Sequence, residues 1–415
     1  MPNPGISRDL DTAPAEGKRM NFSEESAKRI AIERVDDLAD TLFEINRKLF
    51  EFPETRFEEF KAAEWLTETL EQDGFKMERG VAGLATSFRA SFKESPREVP
   101  TIAFMAEYDA LPKLGHACGH NLIGLGAVGA ALALRPMMKE LGGTLQVIGT
   151  PGEEGGGGKV ILVQAGVFDR VEAALMVHPW NITASGANSP ARVKFDIEFR
   201  GKSAHSFHNQ DQGANALAAM IQTFNGINAL REHLKPHHSM VHGIITHGGE
   251  SAHTVPDYSA GSFFILTPDI EYAREVYEKV KHCAVGAALM TGTKESFSSY
   301  GEYKHLMPNL RLAGLFNENL EQLGLAIDEP GWYEGVLCST DAGDVSHIVP
   351  TIQPYMCLNK GFTWHTPEVA QATVSEIGRT LLLNMAKVLA MTAIDLYTRE
   401  DLLREVQEEF LSKKR

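Results

Sequence analysis

Thr144-Leu145-Gln146-Val147-Ile148-Gly149-Thr150-Pro151-Gly152-Glu153-Glu154-Gly155-Gly156-Gly157-Gly158 joins an apolar run to two acids set between Pro-Gly and four glycines. Residues 144–149 predict a buried strand, and the acids follow it at once. Adjacent acids usually belong to a solvated surface, and this is an odd place for solubilising charge. The pattern recurs. The apolar run 101–105 leads into a loop carrying Asp109, Cys118 and His120, and the run 172–177 ends directly on His178. Open α/β sheets bind ligands beyond the carboxyl ends of their strands, so three such junctions predict one site on an α/β sheet.

The second informative stretch is Gly115-His116-Ala117-Cys118-Gly119-His120-Asn121. A thiolate and an imidazole two residues apart reach one divalent ion when the backbone is not helical, and His116 offers a third donor. Neighbouring carboxylates diverge. One acid of the Glu153-Glu154 pair can therefore hold an ion while the other serves as general base toward an activated water. Taken singly, Cys118-x-His120 reads as a buried thiol and a hydrogen-bonded histidine, and His178 and His365 read as structural. Taken together they predict a metal centre that performs hydrolysis.

Composition bounds the function. The chain has 415 residues, 43% of them hydrophobic, enough for two domains with sizeable cores. A formal net charge of −15 argues against nucleic-acid and anionic-membrane partners. No uninterrupted apolar run reaches the roughly 20 residues of a bilayer span, and the first twenty residues lack the apolar core of a secretory signal. Cys118, Cys283, Cys338 and Cys357 have no disulfide-framework spacing, which fits a reducing cytoplasmic setting.

Around the site, residues 1–21 read as a flexible tail. Helices are expected at 23–50, 57–72, 121–139 and 367–397, with a strand at 352–358. From about residue 191 the pattern changes. Residues 192–199 alternate as a half-exposed antiparallel strand does. A helix at 214–230, strands at 239–246 and 259–266, a helix at 270–290 and a strand at 295–300 follow. That β-α-β-β-α-β order predicts a ferredoxin-like domain inserted into the larger one. The expected division is a catalytic domain of residues 22–190 and 303–400, a lid of residues 191–302, and a C-terminal tail of residues 401–415.

Together with Ala106-Glu107-Tyr108-Asp109-Ala110-Leu111-Pro112, Gly201-Lys202-Ser203-Ala204-His205 and residues 339–350, these motifs resemble a family of metallo-aminoacylases and metallopeptidases. It includes p-aminobenzoyl-glutamate hydrolase, hippurate hydrolase and the auxin–amino acid conjugate hydrolases, and the likeness spans residues 45–390. The resemblance implies a zinc-peptidase-like α/β catalytic domain with an inserted lid that makes a homodimer. It implies Cys118, His120, Glu154, His178 and His365 as ligands of one or two zinc or manganese ions, and Glu153 as general base. His205 matches a lid histidine that reaches the partner subunit's site and stabilises the oxyanion.

Two positions depart from the pattern. Relatives carry Asn-x-x-Pro in the lid, and after the next strand an Arg that holds the substrate carboxylate. Here the corresponding residues are His253, in His253-Thr254-Val255-Pro256, and Leu266. Leucine cannot replace a guanidinium fork. The expected reaction is hydrolysis of a C–N bond in a small substrate, by default the amide of an N-acyl amino acid or dipeptide. Without that guanidinium, the expected preference shifts to a flatter, more apolar substrate, with Phe263 or Phe264 turned toward it. Deamination of an aromatic amine is the rival reaction, and a non-catalytic metal-binding protein is the rival class.

Overall fold

The computed structural model describes residues 23–94, 100–235, 239–333 and 338–413. The tail expected at 1–21 lies outside them. Among the described residues, six strands form the main sheet in the order Lys76–Arg79, Phe88–Phe92, Thr144–Gly149, Thr101–Ala106, Ala173–Leu175, Thr351–Ile352. The last four run parallel, and Phe88–Phe92 pairs antiparallel at one side. Parallel strands need both faces covered, which explains their continuous apolar runs. Helix His120–Leu134 is buried along its whole length. Its small residues let helix Glu376–Thr398 approach closely: a Cβ at Gly129 would stand 3.1 Å from the Ala386 Cβ.

Several expected elements are broken, each at a residue with a physical reason. The helix expected at 121–139 ends at Leu134, because Pro136 has no N–H to continue it, and a short turn and helix Met138–Leu141 follow. The strand expected at 352–358 divides around Pro354. Thr351–Ile352 completes the main sheet, and Tyr355–Cys357 enters a second one. The helix expected at 367–397 is two, Pro367–Thr373 and Glu376–Thr398, with Ser375 as the N-cap of the second. The helix expected at 23–50 is likewise two, meeting at Leu38. Residues 401–415, expected as a tail, contribute instead the helix Glu400–Lys413. Leu402 and Val406 on one of its faces are fully buried, so packing fixes it.

The second sheet has strand order Glu329–Tyr333, Ala184–Ala187, Tyr355–Cys357, His178–Trp180. Its strands are three to five residues long, too short to show a period. It fixes the segment that carries His178.

The lid follows the expected β-α-β-β-α-β order: Ala191–Arg200, Ala216–Leu230, Met240–His247, Tyr258–Thr267, Ile270–Thr291, Lys294–Tyr303. Its four strands are all antiparallel. Val193, Phe195, Ile197 and Ile265 turn to one face and pack under the two helices. Arg192, Lys194, Phe264 and Leu266 alternate to the other, and all four line the cleft over the catalytic domain.

Segments His120–Leu141 and Glu376–Thr398 are long and apolar enough to cross a membrane, but 89% and 67% of the most apolar 18-residue stretch of each is buried inside the fold. They form its core.

Candidate metal centre

Three loops at the carboxyl ends of parallel strands supply the donors. Cys118 and His120 flank Gly119, which takes φ +79° as the N-cap of the helix that His120 begins. A Cβ there would lie 2.5 Å from Pro179 Cγ, so glycine lets this loop approach the one carrying His178. Glu153 and Glu154 follow Thr144–Gly149, as their position in the sequence implies. His365 arrives from a fourth loop with φ +60°, a left-handed conformation uncommon for a side-chain-bearing residue and a mark of local strain. Its N–H donates to the Ala117 carbonyl at 3.3 Å, which holds that loop beside Cys118.

The donor atoms converge in three sets, each within 4.8 Å: Cys118–His120–His178, Cys118–Glu154–His365 and His120–Glu153–Glu154. The Cys118 Sγ lies 3.7 Å from His178 Nε2, and His365 Nε2 lies 3.9 Å from a Glu154 carboxylate oxygen. The structure thus brings together all five residues expected as ligands, with Glu153 among them. His116 is not in these sets. It is buried against the Leu49 backbone, and burial pushes its pKa down to about 4.

The surrounding contacts orient these donors toward a cation. Asp109 bonds His120 Nδ1 at 3.0 Å and accepts the Glu154 N–H at 2.9 Å, so one buried carboxylate sets a histidine and a glutamate. The His120 Nε2 is then left buried with no hydrogen-bond partner. His178 Nδ1 bonds the Pro179 carbonyl at 2.7 Å, which leaves Nε2 turned to Cys118. Imidazoles with one nitrogen bonded to an oxygen and the other free are how proteins present histidine to a metal. An orphaned buried nitrogen, a thiol and carboxylates at close quarters fit a divalent ion and suit little else.

Glu153 is 8% exposed. Burial first, and then the carboxylates of Glu154, Glu107 and Asp341, raise its pKa well above the usual range. Its backbone carbonyl accepts from the Tyr303 hydroxyl at 2.8 Å. Lys159 bridges Glu107 and Asp341, and Asp341 also accepts the Lys159 N–H at 2.9 Å. Asp341 is therefore a loop anchor. Asp344 accepts the Lys304 N–H at 3.0 Å in the same manner.

The remaining expected site residues sit elsewhere. His205 and His253 are exposed on the lid, where a bridge from His205 to Thr254 ties their two loops together, and neither lines this chain's cleft. The His205 Nδ1 accepts from the N–H groups of Phe207 and His208 at 3.2 and 3.3 Å, which leaves Nε2 as a donor. For His253 the expected place in the substrate cleft is not found within one chain, because its loop pairs with the His205 turn. Leu266 and Phe264 do line the cleft, and Phe263 is core.

The cleft, of about 320 Å³, also holds two residues that the sequence reading missed. Arg192 and Lys194 project into it from the lid. Burial, and then Arg192 beside it, lower the pKa of Lys194. The two bring to the cleft positive charge that Leu266 does not supply. In sequence the pair looked like the polar face of an ordinary alternating strand. An aromatic wall of Trp180 and Tyr355, 5.9 Å apart, also lines the cleft, with Trp364 stacked on Trp180 at 4.5 Å.

Comparison with known proteins agrees with this arrangement. Residues 103–377 match peptidase family M20/M25/M40. The Xaa-Arg dipeptidase of Mus musculus is 35% identical over 96% of this chain and 96% of its own. One of the subunits of the p-aminobenzoyl-glutamate hydrolase of Escherichia coli K12 is 30% identical over 91% of this chain and 92% of its own. A Bacillus subtilis protein described as a dinuclear metal-binding peptidase of the M20 family superposes with a TM-score of 0.66 at 22% identity, covering 88% of this chain and 99% of the other. The chain belongs to peptidase family M20/M25/M40, and it is a metal-dependent hydrolase of carbon–nitrogen bonds.

Proposed function

We propose that the protein cleaves the amide bond of a dipeptide or an N-acyl amino acid, with Glu153 moving the proton. The observation that carries this reading is a buried acid beside five converging donors in a cleft large enough for a small substrate. The donors divide into Cys118–His120–His178 and Cys118–Glu154–His365, sharing the thiolate, which suits two ions. Glu154 belongs to two of the donor sets and Glu153 to one, which favours Glu154 as ligand and Glu153 as base. The thiolate favours zinc, and the carboxylate also admits manganese.

When bound, the divalent ion supplies Lewis-acid polarisation of the carbonyl and lowers the pKa of water. The other steps belong to side chains. Glu153 takes a proton from the attacking water and returns it to the departing nitrogen. The aromatic wall receives the acyl part. His205, with Nε2 free to donate, would stabilise the oxyanion in the site of a second copy. The lid's edge strand Met240–His247 supports such pairing, since it exposes Ile244 and Ile245 along an open edge.

The two curated relatives are named for an Xaa-Arg dipeptide and for p-aminobenzoyl-glutamate, both amides of an amino acid. Deamination of an aromatic amine drew its support from the altered positions 253 and 266; Arg192, in the cleft beside Leu266, favours the amide reading. The test is a panel of dipeptides and N-acyl amino acids before and after chelation. Hydrolysis should vanish with the metal and return with one divalent ion. A rate that survives verified metal removal would refute the reading.

A further inference from the structure

We infer that Arg192 is the receptor for a substrate carboxylate, taking over from the neighbouring strand the role that Leu266 cannot fill. Arg192 is 9% exposed, yet its Nε and Nη2 have no hydrogen-bond partner. Its Nη1 makes a long contact to the Ser339 hydroxyl at 3.5 Å, and its other neighbour is the Tyr303 side chain rather than a carboxylate. The guanidinium lies over the Tyr303 ring, 3.7 Å from its centre. Stacking of this kind fixes the plane and leaves the edge with its N–H donors open. Burying an unpaired guanidinium is costly, and an anionic ligand supplies the missing partner.

The sheet register specifies what Arg192 replaces. Leu266 is its direct cross-strand partner, and Phe264 is that of Lys194. Side chains so paired stand on the same face with Cβ atoms about 5 Å apart. The guanidinium at 192 therefore faces the cleft from the position paired with Leu266. Arg192 and Glu153 also line the same cleft. Tyr303, under the guanidinium, donates through its hydroxyl to the Glu153 carbonyl. Tyr303 thus connects Arg192 to the backbone of the loop that carries Glu153. Within this one cleft an α-amino acid leaving group can present its carboxylate to the guanidinium while its nitrogen faces Glu153. The substrate class is an amide whose departing amine bears an α-carboxylate, with Lys194 adding a second positive charge to the cleft.

The inference rests on the amide-hydrolase reading, and its test separates the two. The kcat/KM is compared for a dipeptide or N-acyl amino acid and for its C-terminal carboxamide. Wild type should favour the free carboxylate on the order of 10- to 100-fold, the worth of one charged hydrogen-bonded pair. In Arg192→Gln the ratio should fall toward one, mainly through KM. Arg192→Lys should recover little of it, since an ammonium lacks the fork. The double variant Arg192→Gln/Leu266→Arg should recover much of the preference, an effect that a merely structural role for Arg192 would not produce. A wild-type ratio near one, or a ratio that persists in Arg192→Gln, overturns the inference. If no amide is cleaved at all, the functional reading fails, and calorimetry with a free amino acid decides this one. Binding to wild type and its loss in Arg192→Gln supports the receptor; equal binding or none overturns it.

Discussion

Asp109 joins two ligand loops through one side chain. It orients the His120 ring through Nδ1 and fixes the Glu154 backbone, while touching neither donor atom. Asp109→Asn keeps the shape and removes the charge that makes His120 a basic ligand. Metal affinity should fall on the order of 10- to 100-fold, measured by competition with a chromophoric chelator, and a wild-type Kd would contradict the positioning role. At this scale the sequence was most informative where the chemistry is scarce. Cys118, His120, Glu153-Glu154, His178 and His365 were legible because thiols, imidazoles and paired acids stand at strand ends. Asp109 was visible only as a loop acid, since its role depends on which two groups it bridges. Arg192 was hidden by its alternation with Val193 and Phe195, which made it look like surface charge.

Elements set the loops, and two of them can be probed without touching a donor. Gly158 begins the helix after the acidic pair, and a Cβ there would meet the Pro151 carbonyl oxygen at 1.8 Å. Gly158→Ala should displace the Glu153-Glu154 loop, with a stability loss of about 1–3 kcal/mol and weaker metal binding. An unchanged Tm and metal affinity would contradict the tight fit. Asp344 is buried on the short helix Ala342–Ser346, and burial raises its pKa from the usual 3.8 to about 6. Protonation is thus favoured in the folded state. Its contribution to stability is present below about pH 4 and is lost as pH rises through 6. Asp344→Asn should remove this loss, narrowing the stability difference between pH 4 and pH 7 by on the order of 1–3 kcal/mol in urea titrations. A pH dependence equal to that of wild type would contradict it. The long periodic elements were legible in the sequence, the lid's six most of all. The second sheet was not, because strands of three residues have no period, and Pro354 divided an apolar run that looked continuous.

For the whole molecule the open question is assembly. His205 is exposed on the lid and outside its own chain's cleft, so any part it plays in hydrolysis needs a second copy, most simply by two-fold symmetry. Inactive Glu153→Gln and His205→Ala protomers should then regenerate activity when mixed and exchanged. A fully active monomer by sedimentation would contradict this. The lid's order could be read in the chain, whereas which strand the fold leaves at the sheet's edge could not. The central claim is that Glu153 moves the proton while its neighbours hold the metal. It is tested most directly by measuring kcat and metal content on one preparation of Glu153→Gln. The expected result is wild-type metal content with kcat reduced on the order of 10²- to 10⁴-fold. A rate near wild type would remove Glu153 from the reaction, and loss of the metal would make it a ligand.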